Sequence, residues 1–160
     1  MKFSLSREAL LKPLQLVIGV VERRQTLPIL SNVLFSLSDK NLSITGTDLE
    51  VEIVGLTAVS DSEEEGSVTI SARKTLDICR SLPEGATLKF SSSEGKASIQ
   101  SGKSKFMLST LPASEFPTVD EGEKSLEFSV SGKDLQKLIE STSFAMAQQD
   151  VRYYLNGMLW

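Results

Sequence analysis

The sequence predicts an α+β fold built from repeated strand-helix-strand-strand-strand units, with the helices on one face of the sheets. Three observations carry this. Phe3-Ser-Leu-Ser-Arg-Glu-Ala-Leu10 returns 125 residues later as Phe128-Ser-Val-Ser-Gly-Lys-Asp-Leu135. In both copies apolar residues alternate with Ser at the period of a half-buried strand, then switch to helical spacing behind a Ser at the N-cap position. A fainter copy, Val68-Thr-Ile-Ser71, falls about halfway between them, so a shorter repeat is nested inside the longer one.

The elements follow in order. The first helix turns Leu10, Leu11, Leu14, Val17, Ile18 and Val21 inward, although Pro13 inside it removes a hydrogen bond and is expected to kink or break it. Thr26-Leu-Pro-Ile-Leu30 makes an extended entry to three strand-like runs, Val33 to Leu37, Leu42 to Thr47 and Leu49 to Thr57, with a turn at Ser38-Asp-Lys-Asn41. In the third run Leu49, Val51 and Ile53 alternate with Asp48, Glu50 and Glu52. The second helix buries Leu76, Cys79 and Leu82 and sets Arg73, Asp77 and Arg80 on the opposite stripe, with Ile78 at the edge and partly exposed. Pro83-Glu-Gly85 turns the chain into strands at Thr87 to Ser91, Ala97 to Ser101 and Lys105 to Ser109, with bends at Gly95 and Gly102. The expected organisation is a first domain over 1–110, a linker over 111–125 carrying Pro112 and Pro117, and the start of a second domain over 126–160 with Leu135, Leu138, Ile139 and Thr142 on a third helix.

Composition bounds the function. A chain of 160 residues, 40% hydrophobic and 24% charged, is of ordinary globular make-up and can bury a real core. It has no apolar run long enough for a membrane-spanning helix and no leader pattern, which makes the cytoplasm the expected location. The single cysteine, Cys79, lies on an apolar helix stripe and reads as a core residue rather than a nucleophile. There is no histidine, which removes the commonest general base and metal ligand, and there is no phosphate loop, dinucleotide fingerprint or zinc spacing. No catalytic residue, metal or cofactor is expected. The one alternative of that class is a divalent-metal enzyme using Asp48, Glu50 and Glu52; a solvated strand face accounts for the same three carboxylates.

Net charge is −4, but its distribution matters more. Asp61, Glu63, Glu64 and Glu65 in a loop, with Glu115, Asp120, Glu121, Glu123 and Glu127, hold nine of the 21 acids. The first helix and its exit carry Arg7, Lys12, Arg23 and Arg24 against Glu8 and Glu22, and the second carries Arg73, Lys74 and Arg80 against Asp77. Two mildly basic helix faces suit a polyanion held weakly and without sequence preference, since affinity scales with the phosphates neutralised.

Across its whole length the sequence resembles the bacterial sliding clamp family, the beta subunit of DNA polymerase III. The resemblance is carried by Thr26-Leu-Pro-Ile-Leu30, Leu42-Ser-Ile-Thr-Gly-Thr-Asp-Leu-Glu50, Ala72-Arg-Lys, Ser109-Thr-Leu-Pro112 and, most densely, Gln149-Asp-Val-Arg-Tyr-Tyr-Leu-Asn-Gly-Met158. It implies the DNA clamp fold and a non-enzymatic processivity factor, a ring-forming subunit that encircles duplex DNA and tethers the replicative polymerase, with this chain as an N-terminal portion. By position it implies DNA contacts at Arg24, Arg73, Gln149, Tyr153 and Tyr154. The tyrosines, adjacent on an expected strand, would point to opposite faces, so one of them is open to a packing role. It further implies a dimer edge at Lys74, Ile78, Lys103, Lys105, Phe106 and Leu108, the last two equally readable as core, and the rim of a partner-peptide pocket at Arg152 and Leu155. Family members often carry Arg where Lys103 and Lys105 stand, and Lys lacks the bidentate fork.

The implied partners are double-stranded DNA read without sequence preference, DNA polymerase III and other clamp-binding proteins, the clamp loader, and a second copy in a head-to-tail homodimer; no membrane is implied. Lacking a third domain, these 160 residues are not expected to close the ring, and an unpaired strand edge in the second domain is expected to promote self-association. A short interaction module that binds the full-length clamp or its loader is the alternative reading.

Overall fold

The computed structural model of the protein describes residues 1–21, 27–118 and 128–159. These fall into two compact units, 1–120 and 121–160, treated separately below.

The first unit begins with β1 (Lys2–Ser6), which runs directly into α1 (Arg7–Val17). Ser6 caps the helix, its hydroxyl accepting from the Ala9 amide at 3.2 Å, as the Ser-before-helix pattern predicts. Then come β2 (Asn32–Ser38), β3 (Asn41–Thr47), β4 (Glu52–Ala58), β5 (Asp61–Glu64), β6 (Gly66–Ser71), α2 (Ala72–Ser81), β7 (Thr87–Ser93), β8 (Lys96–Ser101) and β9 (Ser104–Leu111). The β2–β3 hairpin turns through Asp39 and Lys40, both at positive φ, and the later bends use Gly85, Gly95 and Gly102 at φ of 72°, 75° and 54°.

The strands form one antiparallel sheet in the order β4-β3-β2-β6-β9-β8-β7-β1-β5. Each unit of the nested repeat thus gives its first strand to the other: β1 lies against β7, and β6 lies against β2. This exchange is invisible to periodicity, which reports a residue's face but not its neighbour strand. The sheet's two ends are joined through Val59 and Ser60, the Ser60 amide donating to the Ser4 carbonyl at 2.8 Å. Both helices cover the same face. The core between them and the sheet includes Phe3, Leu5, Leu10, Leu14, Val17, Phe35, Ile44, Ile70, Leu88, Phe90 and Ile99, with Phe3 stacked on Phe90 at 4.8 Å.

Several sequence expectations are corrected here. Pro13 does not break α1, because the helix lies directly over glycines in the sheet: a Cβ on Gly55 would stand 2.7 Å from Pro13 Cβ, and one on Gly46 would clash with Val17. Packing of the buried ring supplies what the lost hydrogen bond removes. The run from Leu49 does not enter a strand until Glu52. Leu49 sits at φ 81°, Val51 is exposed, and the Asp48 carboxylate accepts from the amides of Glu50 and Val51 at 3.0 and 2.7 Å, closing a turn. The acidic segment from Asp61 is not a loop but an edge strand paired with β1. Ile78 is not half-exposed: at 8% exposure it joins the core one turn beyond Thr75.

β9 runs to Leu111, and Phe116 beyond it is buried with Ile29 and Leu30 in a second small cluster. Residues that composition suggests as linker therefore pack on the first unit as far as Phe116.

In the second unit α3 (Gly132–Thr142) is capped by Ser131, whose hydroxyl accepts from the Asp134 amide at 3.1 Å, mirroring Ser6. The strand expected at Phe128 to Val130 is not formed, and both residues are exposed. Its counterpart β1 exists because β5 and β7 flank it, and no partner strand occurs among the described residues of this unit. A short 3-10 turn over Ser143–Ala145 and another over Tyr153–Asn156 follow. No helix among the described residues is long and apolar enough to cross a membrane.

Candidate nucleic-acid interface and partner edge

The helix face of the first unit carries its charge on α2. Arg73, Lys74, Asp77 and Arg80 are all exposed on the side away from the core. Arg73 and Lys74 stand in the first turn, where the helix dipole disfavours cations by about 0.3–1 kcal/mol each. Arg80 lies in the last turn, where the dipole favours it.

The α1 face is less basic than the sequence suggests. Lys12 is exposed, but Arg7 is turned inward: its Nε donates to the Cys79 carbonyl at 2.7 Å and its Nη1 to Glu8 Oε1 at 3.0 Å. Arg23 and Arg24 lie outside the described residues. Glu8 also accepts from the Gly85 amide at 3.1 Å, and that bond, ahead of the one from Arg7, holds its carboxyl below the usual carboxylate range.

Cys79 is fully buried, and burial pushes its thiol up to about 11, so it is a core residue and not a nucleophile. Asp48, Glu50 and Glu52 do not share a strand face, because residues 48–51 form a turn. Two amide donors, Val51 first and Glu50 next, hold the Asp48 carboxyl below its ordinary value. Among the described residues no three metal-ligating side chains converge.

The residues expected at a dimer edge are brought together in part. β9 pairs with β8 from Ser104 opposite Ser101 to Ser109 opposite Lys96, but with β6 only through Thr110 and Leu111. From Ser104 to Ser109 its other edge is open. Lys74 and Leu108 line one cleft of about 340 Å³ there, with Pro28, Ser31 and Ser109. Lys103 and Lys105 are exposed at the hairpin, whereas Phe106 is half-buried against the core and Leu108 and Ile78 are buried in it. The open edge itself was not legible in the sequence, since alternation looks the same in paired and unpaired strands.

In the second unit Gln149, Arg152, Tyr153, Tyr154 and Leu155 fall on one compact loop. The Ala147 amide donates to the Leu155 carbonyl at 2.9 Å, and Asn156 bonds back to the Asp150 amide and carbonyl at 3.1 Å each. Gln149 is exposed in the left-handed region at φ 57°. The tyrosines lie on a 3-10 turn rather than a strand, so they do not point to opposite faces. Their rings meet edge to face at 6.3 Å and are 82% and 68% exposed. Arg152 is forked onto Asp150 at 3.1 and 3.0 Å, which raises the guanidinium's affinity for its proton and lowers that of the carboxyl.

Comparison with known proteins places this geometry. The family described as DNA polymerase III beta subunit, N-terminal domain, matches residues 1–120. The chain is 60% identical over 159 residues to a beta sliding clamp of Pseudomonas aeruginosa, covering 99% of this chain and 43% of that protein. It is 51% identical over 160 residues to that of Escherichia coli, covering all of this chain and 44% of that one. The crystal structure of the DNA polymerase III subunit beta from P. aeruginosa superposes with a TM-score of 0.95 at 59% identity, over 99% of this chain and 43% of that structure. The chain therefore spans less than half the length of the relatives it matches. With its exchanged repeats, one-sided helices and the family match over residues 1–120, the chain belongs to the DNA polymerase III beta subunit family, the bacterial beta sliding clamps.

Proposed function

We propose that this chain is part of a DNA polymerase processivity factor, a non-enzymatic, cytoplasmic, ring-forming subunit that encircles duplex DNA and tethers the replicative polymerase. The observation that carries the reading is the one-sided layering of the first unit: both helices cover one face of a single antiparallel sheet, and the exposed stripe of α2 presents Arg73, Lys74 and Arg80. A helix face with a few cations and no base-reading side chains suits phosphates touched in passing, which is what a subunit retained by topology needs. Arg73, with Arg24, serves as a phosphate contact, and Gln149, Tyr153 and Tyr154 as contacts to backbone or single-stranded template. The open edge of β9, with Lys74, Lys103, Lys105 and Phe106 around it, is the surface where a second copy docks, and Ile78 and Leu108 support it from below. Arg152 and Leu155 rim the site for partner peptides from the polymerase, the clamp loader and other clamp-binding proteins.

The test is duplex binding followed by fluorescence anisotropy across a salt series. Weak, sequence-independent binding is expected, with Arg73→Ala reducing the salt slope by about 1. Tight sequence-selective binding, or a slope indifferent to Arg73, would overturn the reading.

A further inference from the structure

Every strand cation of the first unit's described residues lies in one half of the sheet. β2, β3, β4 and β6 contain no Lys or Arg, whereas β1, β7, β8 and β9 contribute Lys2, Lys89, Lys96 and Lys105, one each. All four are exposed, and all sit on the face away from the helices, since the alternate residues Phe3, Leu88, Phe90, Ala97, Ile99 and Leu108 are buried. The strand register fixes their pattern. Ser4, Lys89, Gln100 and Lys105 form one cross-strand row; Lys2, Ser91, Ser98 and Met107 form the next; Ser93, Lys96 and Ser109 form the third. Met107, 55% exposed, is the outward apolar side chain of these rows, and it lies in a shallow groove of about 300 Å³ with Lys96 and Lys105.

Lys2 is 4.0 Å from Glu63, and Asp61 borders the same side of the patch, so that corner is close to neutral. Lys89, Lys96 and Lys105 make no ion pair among the described residues. Glu94, in the β7–β8 turn, is the acid that lines the groove, against the two cations Lys96 and Lys105.

We propose that this outer sheet face docks an extended acidic peptide carrying carboxylates at positions i and i+4 and an apolar side chain at i+2. Alternate residues of an extended chain are about 6.8 Å apart. With strands about 4.8 Å apart, Lys105 and Lys96, one strand and two rows from each other, are separated by about 14 Å, the spacing of residues i and i+4. Met107 lies in the intermediate row, where residue i+2 falls. Lysine supplies point charges that suit single carboxylates, and the face has no arginine fork and no outward aromatic ring on which a base could stack. That chemistry favours a protein segment over a nucleic acid strand. The surface lies on the opposite side of the sheet from the proposed DNA-facing helices, does not depend on them, and shares only Lys105 with the edge proposed for a second copy.

The experiment uses the full chain and a labelled peptide, Ser-Glu-Ser-Leu-Ser-Glu-Ser, in anisotropy titrations at low salt. Three comparison ligands are its Gln-for-Glu analogue, its Ser-for-Leu analogue and an oligothymidylate of equal length. The Glu-Leu-Glu peptide is expected to bind, with affinity falling at least fivefold in Lys96→Ser and in Met107→Ser and at least tenfold for the Gln analogue. Lys96→Gln serves as a second variant should Lys96→Ser lose its native melting curve. Absence of binding at millimolar peptide, binding by both variants as tight as by the parent, or Lys96-dependent binding of the oligothymidylate alone would each overturn the proposal.

Discussion

The Nε of Arg7 donates to the carbonyl of Cys79 at 2.7 Å, so the first residue of α1 caps the last turn of α2. The last four carbonyls of a helix lack intrahelical partners, and the dipole there favours a cation. Ser81 Oγ takes the neighbouring Ile78 carbonyl at 2.8 Å, so two of the orphans are satisfied by side chains. The Arg7 side chain is only 14% exposed. Its charge therefore works between the helices, not toward a ligand.

Arg7→Met is accordingly expected to lower stability by about 1.5–3 kcal/mol, the range for a hydrogen bond from a charged group whose loss leaves an unsatisfied carbonyl. Urea denaturation would measure it. DNA affinity per folded molecule should not change, whereas Arg73→Ala, on the exposed stripe, should show the converse pattern. A stability loss from Arg73→Ala as large as that from Arg7→Met would contradict this division of roles.

Close approach of α1 to the sheet at Gly55 leads to a second expectation. A methyl there meets the Pro13 Cβ at 2.7 Å and the Pro13 Cα at 3.2 Å, and neither is the free end of a flexible side chain. Gly55→Ala should destabilise by about 1–3 kcal/mol through overpacking. Combining it with Pro13→Gly, which removes the Cβ that the methyl meets, should give a double variant less destabilised than the sum of the two single changes. A double-mutant cycle in thermal or urea unfolding gives the coupling; additive losses would show that the Pro13 Cβ is not what the methyl strikes.

Glu8 ties the start of α1 to the turn at Gly85, and its carboxyl is held below the ordinary range chiefly by the Gly85 amide. A carboxyl whose pKa is lower folded than unfolded contributes stability that is present above the unfolded value. That contribution is lost as pH falls through the folded value. The chain should therefore weaken on acidification through the carboxylate range, and Glu8→Gln should flatten that limb by lowering the melting temperature at neutral pH while converging with the parent at acid pH. A pH profile for Glu8→Gln identical to the parent's would remove Glu8 from the account.

Much of the first unit was legible in the sequence because its signals are local. Ser6 and Ser131 occupy the same position in the two long copies, and both cap helices through an amide three residues on. The hairpin at Asp39 and the turn at Gly85 were announced by residue types that tolerate positive φ. The readings that failed were those in which a neighbour decides. Leu49 and Val51 alternate like strand residues, but the Asp48 carboxylate captures the amides of Glu50 and Val51 and bends the chain before a ladder can form. Phe128 and Val130 repeat Phe3 and Leu5 in type and spacing, and without flanking strands they form none.

The candidate surfaces divide in the same way. That α2 shows Arg73 and Arg80 to solvent and hides Leu76 and Cys79 follows from a period of 3.6 residues and needs no tertiary information. Sequence could not say that Arg7 is drawn inward, that Ile78 is core, or that Tyr153 and Tyr154 share a 3-10 turn with both rings exposed.

By itself, then, the sequence determined which residues form helices and hairpins, which face of each is apolar, and that the pattern repeats, since caps, turns and periodicity act within a few residues along the chain. Tertiary structure alone decided that the two nested repeats exchange their first strands, that β9 keeps an open edge from Ser104 to Ser109, and that the outward lysines gather on one half of the sheet. Each of these depends on which strand lies beside which, a choice made by burying the whole apolar face at once and not by any local preference.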